Sequence, residues 1–140
     1  MNKSVKDAIH NAVAQEPFVQ TLGMELTDLE KGFSAVEMVY EPSRMDNLFG
    51  RAHGGAIFAL IDEAFETVGQ TDGTIAVAMN VNVSYVASPE AGARLRAEAR
   101  EINMTKRTAN YDIRVTDEDN RLIATCQALA FRTGKALPFL

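Results

Sequence analysis

Apolar and polar positions along the 140-residue chain recur with two different periods, and the change of period marks the elements. Val5, Ala8, Ile9, Ala12 and Val13 return at helical spacing and predict an amphipathic helix over residues 4–14, with Ser4 as N-cap and Asp7 in the first turn. Pro17 suits the start of a second short helical turn, where no N–H is needed, and Gly23 suits its end. Residues 24–30 and 33–41 read as two strands joined around Lys31-Gly32 and closed by Pro42, and residues 43–52 as loop. Between residues 56 and 70, Ala56, Leu60, Ala64 and Val68 recur every four positions with Ile57, Ile61 and Phe65 beside them. A helix apolar over more than one stripe is a buried helix. After Asp72-Gly73 the period becomes two. Ile75, Val77, Met79, Val81, Val83 and Tyr85 alternate with Thr74, Ala76, Ala78, Asn80, Asn82 and Ser84, a strong strand pattern. Pro89 and Gly92 supply a turn, and residues 93–103, 108–116 and 122–132 predict three more strands. Residues 135–140 are too few to assign. Two strands, one long buried helix and four strands make an α+β fold, an antiparallel sheet able to wrap one apolar helix. Nothing divides the chain, so residues 1–140 read as one domain.

Composition narrows the function classes. A net charge of −5 and a pI near 5.0 argue against a general nucleic-acid binder. With Cys126 as the sole cysteine, no intrachain disulfide or thiolate cluster can form, and its place among Ala124, Ala128 and Ala130 predicts a buried, inert thiol. His10 and His53 are too few for a multi-histidine zinc site, and no metal or separate cofactor is expected. The first residues lack the apolar run of a signal peptide, and no stretch has the length of a membrane span. A soluble, cytoplasmic protein is the simplest expectation.

Chemistry concentrates between Asn47 and Asp62. Gly54 and Gly55 stand at the mouth of the buried helix, where first-turn N–H groups have no intrahelical acceptor and the helix dipole favours negative charge. Without a Cβ there, a carbonyl can approach the backbone closely, so main chain alone can build an oxyanion hole. The alternative is that the glycines bend the loop or admit close packing. Asp62 lies among Leu60, Ile61, Ala64 and Phe65. Burial there would raise its pKa toward that of a useful base. Alternatively, Asp62, Glu63, Glu66 and Gln70 share an outward, solvated face. Eight residues of helix put Gly54 and Asp62 roughly 12 Å apart along the axis. They cannot both touch one carbonyl, so a reaction that uses both takes them from two chains related by a two-fold axis.

Asn47, His53, Gly54, Gly55 and Asp62, in the pattern Asn-x5-His-Gly-Gly-x6-Asp, resemble the signature of hotdog-fold acyl-CoA thioesterases of the PaaI-like, phenylacetate-degradation group. The resemblance extends through the alternating strand to Tyr85 and Ser88-Pro89, and over most of the chain after about residue 20. It implies hydrolysis of an acyl-CoA thioester. In that role the Gly54 N–H would polarise the carbonyl, and Asp62 of the partner chain would be nucleophile or general base. Asn47 would lie near the thioester or the attacking water, and His53 would mainly shape the helix N-terminus, with a role as general base as its alternative. A homodimer would be the minimal active unit, in a dimer-of-dimers tetramer. Leu48, Phe49 and Phe58 are candidates to line an acyl pocket with Gly55 beside them, and core packing is the reading for Met79. Lys106 and Arg107 are candidates for the CoA phosphates or an ordinary solvated turn. The chain departs from some relatives at Ala78, where they carry a hydroxyl, and at Glu66, where they carry a small or apolar residue. A non-catalytic acyl-CoA-binding protein of the same fold is the alternative function.

Overall fold

The computed structural model describes residues 1–140. In chain order the elements are α1 (Lys3–Ala14), α2 (Pro17–Leu22), β1 (Glu25–Glu30), β2 (Phe33–Val39), α3 (Pro42–Met45), α4 (Gly54–Gly69), β3 (Thr74–Tyr85), β4 (Arg94–Met104), β5 (Thr108–Thr116) and β6 (Leu122–Ala136). Six antiparallel strands form one sheet in the order β1-β2-β4-β5-β6-β3, so β1 and β3 are its edges. The sheet curls around α4, which packs against β2, β4, β5 and β3. This is the hotdog arrangement.

Alternating side chains explain why the helix fits. Leu60, Ile61, Ala64, Phe65 and Val68 of α4 are buried against Val36 and Met38 of β2, and against Leu95, Ala97 and Ala99 of β4. Small residues at Ala97, Ala99, Ala109, Ala124 and Ala128 let the helix sit close to the sheet, while Phe65 and Tyr111 meet at 5.5 Å between ring centroids. One polar seam crosses the interior: the Ser34 and Thr67 hydroxyls are 2.6 Å apart, and Thr67 Oγ1 also reaches the Glu63 carbonyl at 2.8 Å.

Several boundaries differ from the sequence expectation. Asn2, not Ser4, caps α1, its Oδ1 accepting the Ser4 N–H at 3.0 Å, so Asp7 falls beyond the first turn. Pro42, expected to close the second strand, opens the helical turn α3, which takes in residues 43–45 of the expected loop. The long helix begins at Gly54, two residues early, and β6 runs on to Ala136. Gly23 ends α2 in the left-handed region at φ 65°, as its position suggested.

The largest difference lies in β3. Ala78 pairs with Ala130 and Asn80 with Leu129, leaving Met79 as an extra, bulged residue. The bulge moves the alternation by one position. Ala76 packs on the core before it and Val81 and Val83 after it, while Val77 and Met79 are left 48% and 58% exposed. Met79 is therefore not a core residue.

Candidate functional site

The segment leading into α4 is held from several sides. The His53 N–H donates to the Met45 carbonyl at 2.7 Å, and the Asn47 N–H to the Arg51 carbonyl at 2.7 Å. Tyr40 donates its hydroxyl to Asp46. The Asn47 side-chain oxygen accepts the N–H groups of Phe49 (2.9 Å) and Arg51 (3.1 Å), which closes the loop and leaves the amide nitrogen free to donate.

His53 is the N-cap of α4, and its Nδ1 accepts the Gly55 N–H at 2.9 Å. That bond puts the ring proton on Nε2 and occupies the basic nitrogen. The next amides, of Ala56 and Ile57, bond the His53 carbonyl. Gly54 alone in this turn has an N–H with no acceptor, at the positive end of a 16-residue helix. Tyr85, at the end of β3, donates its hydroxyl to the Gly54 carbonyl at 3.0 Å and fixes that peptide. A Cβ at Gly54 would lie 3.2 Å from the Tyr85 ring and hydroxyl, a tight approach that the Tyr85 side chain must yield to by a few tenths of an ångström.

Asp62 lies two turns along the same helix, on the wall of a cavity of about 330 Å³ shared with Phe18, Ala59, Glu63, Glu66 and Ala78. Partial burial raises its pKa above the ordinary 3.8, and the charge of Glu66 raises it further. Glu63 does not share the outward face with Asp62 and Glu66: it is 5% exposed, and burial together with Glu66 and Glu16 pushes its carboxyl strongly toward the neutral form. Glu66 is raised by burial and by Glu16. The solvated-face alternative thus fails for Glu63, because the face of α4 that carries it turns toward α2.

Leu48, Phe49 and Phe58 are 88%, 78% and 37% exposed and line no common cavity in the single chain. Gly55 is exposed, its N–H committed to His53. Lys106 and Arg107 occupy the exposed β4–β5 turn, make no ion pair, and sit where Arg132 braces the Thr105 and Lys106 carbonyls. By contrast Arg94, Arg96 and Arg100 are engaged by Glu37, Asp28 and Glu98 on the strand face. Cys126 is buried, and burial pushes its thiol up to about 11, which suits an inert residue. Glu16, Phe18 and Tyr85 were not singled out from sequence. Each reaches α4 from a segment distant along the chain, and no local spacing signals such a contact.

A family model of the thioesterase superfamily matches residues 49–124, from the loop before α4 to the start of β6. The acyl-coenzyme A thioesterase PaaI of Escherichia coli is 27% identical over 125 residues, covering 89% of each chain. The solved structure of E. coli PaaI, from the phenylacetic acid degradation operon, superposes with a TM-score of 0.89 at 26% identity, over 94% of this chain and 95% of the other. A Streptococcus mutans protein solved bound to acetyl CoA superposes with a TM-score of 0.76 at 28% identity, over 81% and 91% of the two chains.

Proposed function

Because the chain belongs to the thioesterase superfamily, a family of thioester hydrolases, and within it to the PaaI-like hotdog group, we propose that its substrate is an acyl-CoA, cleaved to free acid and CoA at a site built from two chains. The observation that carries this reading is the unpartnered Gly54 N–H at the head of α4. A thioester oxygen accepting that N–H gains stabilisation as it becomes an oxyanion, when negative charge grows at the positive end of the helix. The partner's Asp62 either adds to the carbonyl carbon or takes a proton from the water that adds. In both routes the C–S bond breaks, CoA leaves as thiolate and takes up a proton, and one water is consumed. In this reading the free Asn47 amide holds the attacking water or the thioester, and Lys106 and Arg107 supply unpaired cations for the CoA phosphates.

The two-chain site is supported by the sheet edge. β3 is twelve residues long, is paired only with β6, and leaves a long row of backbone groups on its other side. Pairing with a second β3 across a two-fold axis would continue the sheet and bring each α4 head toward the other chain. Val77, Ile102 and Phe131, exposed apolar residues on the sheet, are candidates for a second interface in a tetramer.

The test is hydrolysis of a panel of acyl-CoAs by wild type and Asp62→Asn, followed by thiol release. We expect turnover by wild type and at least about 100-fold less by the variant, with CoA binding retained. Binding without turnover in wild type would assign the protein to acyl-CoA binding alone.

A further inference from the structure

Glu16, at the head of α2, and Glu63 and Glu66, on α4, bring carboxylate oxygens within 4.8 Å of one another. Glu63, on the cavity wall, is 5% exposed, and its Oε1 is buried with no hydrogen-bond partner. Asp62 adds a fourth carboxylate to that wall, which holds no lysine, arginine or histidine. None of the four enters an ion pair anywhere in the chain. The one nearby amide, Gln70, is committed on both sides, donating to the Ala76 carbonyl at 2.9 Å and accepting the Ala76 N–H at 3.0 Å. The chain thus supplies no opposite charge to the cluster, and the hydrogen bonds open to it run between the three carboxyls themselves, whereas buried carboxylates are as a rule paired or bound to a cation.

We propose that Glu16, Glu63 and Glu66 form a binding site for a hard divalent cation of the magnesium, manganese or calcium class. The ligand set is oxygen alone, the preference of those ions, and it lacks the thiolate and imidazole of zinc or copper sites. Oxygens 4.8 Å apart can face each other across a calcium ion at about 2.4 Å, and shorter separations within that limit suit magnesium at about 2.1 Å. The cavity leaves room for water to complete the coordination. The sequence predicts no metal at all, and three carboxylates drawn from α4 and the head of α2 have no compact motif by which to read one. The proposal does not depend on the hydrolytic reading, because its readout is ion binding.

The full-length protein, stripped with a chelator, is titrated with MnCl2 while free Mn2+ is followed by electron paramagnetic resonance, and melting is recorded with and without Mn2+, Ca2+ or Mg2+. The proposal expects one Mn2+ per chain, displaced by Ca2+ or Mg2+, and a rise in Tm on binding. Glu16→Gln and Glu63→Gln should each weaken binding at least tenfold and lose the Tm rise, while Glu25→Gln, on exposed β1, should bind as wild type does. Should Glu63→Gln fail to fold, the half-buried Glu16→Gln carries the comparison. A folded wild type that takes up no Mn2+ below roughly 1 mM overturns the proposal and leaves a proton on Glu63 as the way its burial is relieved. Variants that bind as wild type does overturn it equally.

Discussion

Gly54 and Gly55 differ in what their N–H groups do, and His53 makes the difference. By accepting the Gly55 N–H it closes one donor and leaves the Gly54 donor open to a ligand. The account therefore gives His53 a capping role, not that of a base. His53→Asn should keep both stability and activity, the latter within about tenfold of wild type, because asparagine also caps a helix. His53→Ala should cost about 1 kcal/mol in urea unfolding. Loss of more than 100-fold in kcat for both variants would show that the imidazole is a base after all. At Asp62 the pKa is raised by partial burial and then by Glu66. The proposed reaction uses the ionised form, so kcat/KM should fall as pH drops through a value above the ordinary 3.8. In Glu66→Gln that acid limb should move to lower pH. A limb that stays in place would remove Glu66 from the account.

Among the elements, the join between α4 and β3 is pinned by Asp72, which accepts from Thr74 N and Oγ1 and pairs with Arg132 of β6. Burial would raise its pKa, but the Thr74 bonds and Arg132 outweigh burial and hold it below 3.8. The stability from this ionised carboxylate is present above its unfolded-state pKa, near 3.8, and is lost as pH falls through the lower, folded value. Asp72→Asn should cost about 1–2 kcal/mol at pH 7, measured by urea unfolding, with the difference from wild type shrinking below pH 3.8. The elements themselves were legible wherever a single period ran unbroken, as from Leu60 to Val68 or Thr108 to Thr116. The bulge at Met79 was not, because one inserted residue changes which side chains face inward without altering the apolar–polar alternation. The start of α4 was read late for a related reason. Gly54 and Gly55 have low helix propensity, and His53 is an uncommon cap. Gly54 and Asp62 could be found because both lie in one helix. Tyr85, Glu16 and Glu63 owe their places to tertiary contacts that local spacing does not encode.

On the scale of the whole molecule, the proposed site is divided along α4 of one chain: the open Gly54 N–H at the head of the helix and the Asp62 carboxylate roughly 12 Å along it. The unpaired edge of β3 is the surface that would bring complementary halves together. Wild type should sediment as a dimer or larger, and Met79→Lys, which charges that edge, should release monomer and lose activity on dilution. The most direct test mixes two inactive chains. Gly54→Pro removes the N–H at a first-turn position where proline is tolerated, after a His53 whose ψ of 132° suits a residue before proline. Gly54→Ala, which keeps the N–H, controls for the added bulk against Tyr85. Gly54→Pro and Asp62→Asn should each lose at least about 100-fold in kcat. After unfolding and refolding together in equal amounts, half the dimers are mixed and each holds one intact site, so activity should return to about a quarter of wild type. Mixtures no more active than either variant alone would place both groups of each site on one chain and contradict the account.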